Sequence, residues 1–126
     1  MLTVALVLAA LAALVHVYIF WLEALAFDTA GRKAFGVSQA DAAVMKPWAF
    51  NQGFYNLFLA IGTAVGVALA GANRDASVAL VVMGTGSMLA AATVLITSDP
   101  GKAGGAIVQG SFPALALLGL AVWAWA

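Results

Sequence analysis

Leu2–Phe27 reads LTVALVLAALAALVHVYIFWLEALAF, and this stretch decides the fold class. It carries one charged residue, Glu23, and is longer than the about 20 residues an α-helix needs to cross ~30 Å of hydrocarbon. A cleaved signal peptide would show a basic start and an apolar core of about 7–15 residues. Here the start has no basic residue and the apolar run is far longer, so the segment is read as a mature helix. Three more stretches have the same character: Pro47–Ala72, Ala76–Thr97 and Ala103–Ala126. Nine of the ten charged residues lie between them, in Asp28–Lys46, Arg74–Asp75 and Asp99–Lys102. The pattern predicts an all-α integral membrane four-helix bundle, one domain over residues 1–126. Helices satisfy their own backbone groups in lipid, and runs this long do not fit the strands of a β-barrel.

Composition agrees. Apolar residues make up 65% and charged residues 8% of the 126, with a mean hydropathy of +1.08. A soluble domain has about 45–50% and about 25%, so a soluble globular protein is excluded. Five basic against five acidic side chains, with no basic run, leave no footprint for nucleic acid. The absence of cysteine excludes disulfides, thiolate metal sites and thiol catalysis.

Basic residues set the expected orientation. Arg32, Lys33, Lys46 and Lys102 fall in the first and third loops, and only Arg74 falls in the second. By the positive-inside rule, loops one and three face the cytoplasm of a multi-pass plasma (inner) membrane protein, with both termini outside. Trp21 and Trp48 then mark one interface, and Trp123 and Trp125 the other. In the first loop, Gly31, Gly36 and a Ser38-x-x-Asp41 start predict a turn and a short interfacial helix. Pro47 is expected to end that helix at Lys46 and to open the second span.

The polar residues within the spans are the candidates for function. A carboxylate inside a span costs about 2.5–3.5 kcal/mol, so Glu23 must face protein or water. His16, seven residues earlier, shares its helix face with Ala9 and Ala12. In span two, Asn51, Gln52, Tyr55 and Asn56 fall within an arc of about 140° at the depth of Glu23. In span three, Thr93 and Thr97 continue a stripe with Gly86 and Ala90 that is expected to pack closely. Gly62, Gly66 and Ala70 form a similar stripe on span two. Gln109 stands four residues before Pro113, which removes the donor for its carbonyl. Glu23, His16 and Tyr55 are the candidate catalytic groups, and Asn51, Gln52, Asn56 and Gln109 the candidate ligand-binding groups. One histidine and one carboxylate fall short of a metal set, and no phosphate loop or nucleophile elbow is present, so no metal or cofactor is expected.

The elements His16-x-Tyr18 with Glu23, Gly31-Arg32-Lys33-x-Phe35-Gly36, Asn51-Gln52-Gly53-Phe54-Tyr55-Asn56 and Gln109-Gly110-x-x-Pro113-Ala114 resemble one known pattern. It belongs to a bacterial family of small four-helix membrane proteins, domain of unknown function 1304. The resemblance covers essentially the whole chain. It implies that His16, Glu23, Asn51, Gln52, Tyr55, Asn56 and Gln109 belong to one family pattern.

Three functions compete on these residues. The first is a membrane pocket, open toward the cytoplasm, that binds or transforms a small apolar or amphipathic molecule among the surrounding lipids. The second is a proton-coupled transporter acting as a homodimer, by architectural analogy with small multidrug exporters. The third is a structural subunit that presents its small-residue stripes to a larger complex; interhelical hydrogen bonds of about 0.6–2 kcal/mol would then explain the amides as glue.

Overall fold

The computed structural model describes residues 1–126, and its regular elements are all helical. Helix α1 is Leu2–Phe20, followed by two π-helical turns, Trp21–Leu25 and Phe27–Gly31, and the single turn α2, Arg32–Phe35. Helix α3 is Gln39–Ala68, closed by a 3₁₀ turn at Leu69–Gly71. Helix α4 is Arg74–Ser98; a 3₁₀ turn at Pro100–Lys102 leads into α5, Ala103–Trp125. Four segments are long and apolar enough to cross a membrane: Leu2–Leu25, Gln39–Gly71, Arg74–Ser98 and Pro100–Trp125.

The four long helices form a closed ring. Each packs on two neighbours, α1 on α3 and α5, and α4 on the same two, with little contact across the diagonals. Lipid tails are as apolar as leucine, so close van der Waals packing rather than water exclusion holds such helices together, and small residues permit it. The centre accordingly contains Ala5, Ala9, Val81, Ala116 and Leu120. Glycines serve the contacts between neighbours. A Cβ at Gly84 of α4 would sit 2.0 Å from Thr63 Oγ1 of α3, one at Gly110 of α5 2.9 Å from Ala92, and one at Gly119 of α5 3.1 Å from Ala5 of α1. Buried Thr63 and Thr85 donate to the carbonyls of Leu59 and Val81 in their own helices, at 2.8 and 2.6 Å, so their hydroxyls need no other partner. Large apolar side chains such as Leu14, Met83 and Val94 point outward, where lipid replaces water.

Several local expectations are corrected. The helix expected to stop at Lys46 runs on through Pro47 as part of α3. Proline there deprives the Ala43 carbonyl of its helical donor, but Ala43 and Pro47 are both exposed, so that carbonyl lies at the surface rather than in the packed interior. The start of α3 is as read: Ser38 Oγ accepts from the Asp41 N–H at 3.1 Å and donates to its carboxylate at 2.6 Å. The stripe through Gly86, Thr93 and Thr97 faces outward. A Cβ at Gly86 would meet nothing within 4 Å, and the two threonines are exposed and bond back to Leu89 and Thr93 carbonyls. The inner face of α4 is the adjacent row of Val81, Gly84, Met88 and Ala92. On α3, Gly66 packs against Val81 while Gly62 stands open.

Candidate functional site

Glu23 lies in the first π-helical turn, where the Ala26 N–H reaches back five residues to the Trp21 carbonyl at 2.8 Å. A second such bond, from Gly31 to Ala26 at 2.8 Å, turns the chain back on itself. Gly31 is required there, because a Cβ would sit 2.1 Å from the Leu22 carbonyl oxygen. π-Helical turns occur mostly as single-turn bulges, frequently at functional sites; here they swing Glu23 toward α3. Gly53 of α3 admits it, since a Cβ at that position would lie only 3.1 Å from the Glu23 Cβ.

This approach joins two of the candidate residues. Asn56 Nδ2 donates to Glu23 Oε2 at 2.7 Å, and the same amide donates to the Gln52 carbonyl at 3.2 Å. Asn56 is 8% exposed and Glu23 half-buried, so the bond is partly buried. Glu23 has no second partner, and its other oxygen is not sealed in the interior.

That carboxylate borders a cleft of about 720 Å³ between α1 and α5. Val15, Ile19 and Leu22 of the first span, Leu95 of α4 and Val108 of α5 form apolar walls, with Gln109 beside them. Lys33, Gly36, Asp99 and Lys102 line it from the first and third loops. Lys102 Nζ donates to the Phe35 carbonyl and ties these two loops together over one end of the bundle. Nearby, Lys46 and Asp28 form an ion pair at the surface.

The remaining candidates lie elsewhere. His16 is 1% exposed, does not line the cleft, and its Nδ1 stands 2.9 Å from the Ala12 carbonyl. A carbonyl only accepts, so Nδ1 carries the proton. Asn51, Gln52 and Tyr55 are exposed, Tyr55 by 58%, and none lines the cleft. The inner face of α3 is Gly53, Asn56, Ala60 and Thr63, so the polar arc meets the interior only at its Asn56 edge. Glu23 and Gln109 therefore share the cleft, with Asn56 bonded behind Glu23. Lys33 and Lys102, which were not among the candidate site residues, stand on the same cleft. The signal that could have found them is their position beside Gly36 and Gly101, in two loops at the same end of the bundle. No group of three histidine, cysteine, aspartate or glutamate side chains is placed to hold a metal ion.

A closed ring of four apolar helices, each long enough to span a bilayer, defines a multi-pass helical membrane protein. Within that class the chain belongs to the family described as Protein of unknown function (DUF1304), whose profile matches residues 10–121. No curated protein and no solved structure matches it.

Proposed function

We propose that the protein binds a small amphipathic molecule in the cleft between α1 and α5, with Glu23 as the polar anchor. The observation that carries this is one carboxylate with divided duties. One oxygen is held by Asn56 at 2.7 Å, and the other is left for a ligand beside an apolar-walled space of about 720 Å³. Ligand sites commonly enclose about 300–1,000 Å³, with mostly apolar walls and a few fixed polar groups. Asn56 orients the carboxylate, and Gln109 adds both a donor and an acceptor. His16 and Tyr55, the groups paired with Glu23 for proton transfer on the sequence, do not line the cleft, and Glu23 is read here as an anchor. The cleft reaches the loop end of the bundle, where Lys33 and Lys102 line it, and on the charge rule that is the cytoplasmic end, with both chain termini outside.

Native mass spectrometry of the protein released from native-lipid nanodiscs tests this. Wild type should carry a discrete bound mass that Glu23→Gln loses at unchanged subunit number. Equal retention by the variant would remove Glu23 from the role given to it.

A further inference from the structure

We propose that the ligand of this cleft is a zwitterionic amphiphile, with an ammonium group received by Glu23 and an anionic group received by Lys33 and Lys102. The proposal rests on the pocket reading above and names its ligand class. Four charged side chains border the cleft: Glu23, Asp99, Lys33 and Lys102. The one ion pair of the chain, Lys46 with Asp28, is not among them, so two carboxylates and two ammonium groups line one space without forming an ion pair.

Each is engaged in a way that leaves capacity. Glu23 uses one oxygen on Asn56. Lys102 uses one of its three donors on the Phe35 carbonyl. The Lys33 side chain makes no ion pair and is exposed. Asp99 caps its own turn, accepting from the Gly101 N–H at 3.1 Å, and so holds the loop that carries Lys102.

Glu23 belongs to the first span, whereas Lys33, Lys102 and Asp99 belong to the two loops at its end, where two ammonium groups outnumber one carboxylate. Beside Lys102, Gly104 and Gly105 of α5 line the cleft with open space where side chains would be. A purely anionic ligand would meet repulsion from Glu23, and a purely cationic one from the two lysines. A molecule with both charges satisfies both ends, and its tail has Val15, Ile19, Leu22, Leu95 and Val108 to lie against.

The test is a native mass spectrometry titration of the delipidated, detergent-held protein with three amphiphiles of equal chain length. These are phosphatidylethanolamine, phosphatidylglycerol and a long-chain primary amine; phosphoethanolamine without tails is a fourth arm. Charge-assisted hydrogen bonds of about 1.5–3 kcal/mol predict half-occupancy by phosphatidylethanolamine at a concentration about tenfold or more below the other two lipids. Lys33→Gln, which changes an exposed side chain and leaves the backbone bond from Gly36 to the Lys33 carbonyl in place, should lose about tenfold for phosphatidylethanolamine and phosphatidylglycerol and nothing for the amine. Glu23→Gln should bring phosphatidylethanolamine down to the level of phosphatidylglycerol. Tighter binding of phosphatidylglycerol or of the amine would overturn the zwitterion. Binding of phosphoethanolamine as tight as that of the full lipid would overturn the amphiphile. Equal binding of all three lipids, lost in Glu23→Gln, would overturn the ligand class and leave the pocket standing; no binding of any would remove both.

Discussion

At the residue scale the protein turns on Glu23 and Asn56, 33 positions apart and 2.7 Å from each other. A double-mutant cycle with Glu23→Ala and Asn56→Ala, followed by reversible unfolding in mixed micelles, should give a coupling on the order of 1 kcal/mol, within the about 0.6–1.7 kcal/mol measured for such bonds in helical bundles. A coupling of zero would mean that the two side chains do not meet. His16 and Tyr55 give the complementary expectation. Neither lines the cleft, so His16→Leu and Tyr55→Phe should keep the ligand mass that Glu23→Gln loses. Loss of ligand in either variant, with the fold intact, would restore it as a site residue. The sequence singled out Glu23, Asn56 and Gln109 through polarity in an apolar span, which is a strong signal because lipid penalises it. It did not separate Asn56 from Asn51, because an arc of about 140° has two edges and periodicity alone does not say which one points inward. Gly53 supplies that answer only once its contact with Glu23 is seen.

At the scale of elements the four spans were legible to within a few residues at most ends, since a run of apolar residues between charges has one reading in a bilayer. Two features were not legible. The π-helical turns leave no periodic mark over ten residues, and the continuation of α3 through Pro47 depends on where one freed carbonyl lies. The third span shows how packing separates similar glycines. Gly84→Ala places a Cβ against Thr63 and should destabilise by about 1–3 kcal/mol, as overpacking does. Gly86→Ala, two residues on, points into open space and should be neutral or stabilising by up to about 1 kcal/mol through lower backbone entropy. Parallel unfolding curves distinguish them, and equal midpoints would contradict the placement of α4.

At the scale of the whole molecule, the charge bias between loops converts into an orientation that can be measured directly. The chain contains no cysteine, so single substitutions report cleanly. Asn73→Cys should react with a membrane-impermeant maleimide added to intact cells, and Ser38→Cys only after lysis. The opposite order would invert the protein and move the cleft to the other side of the membrane. The closed ring carries a further consequence for connectivity. Gly119 near the end of α5 lies against Ala5 near the start of α1, and an even number of spans brings both chain ends to the same end of the bundle as the tight Asn73 turn. A gene rewritten to begin at Arg74, run through α5, cross a short flexible linker and finish with α1 and α3 would keep every helix hairpin on its original side. Such a circular permutant should insert and fold, because the order in which the helices are synthesised matters less to this ring than which ones touch.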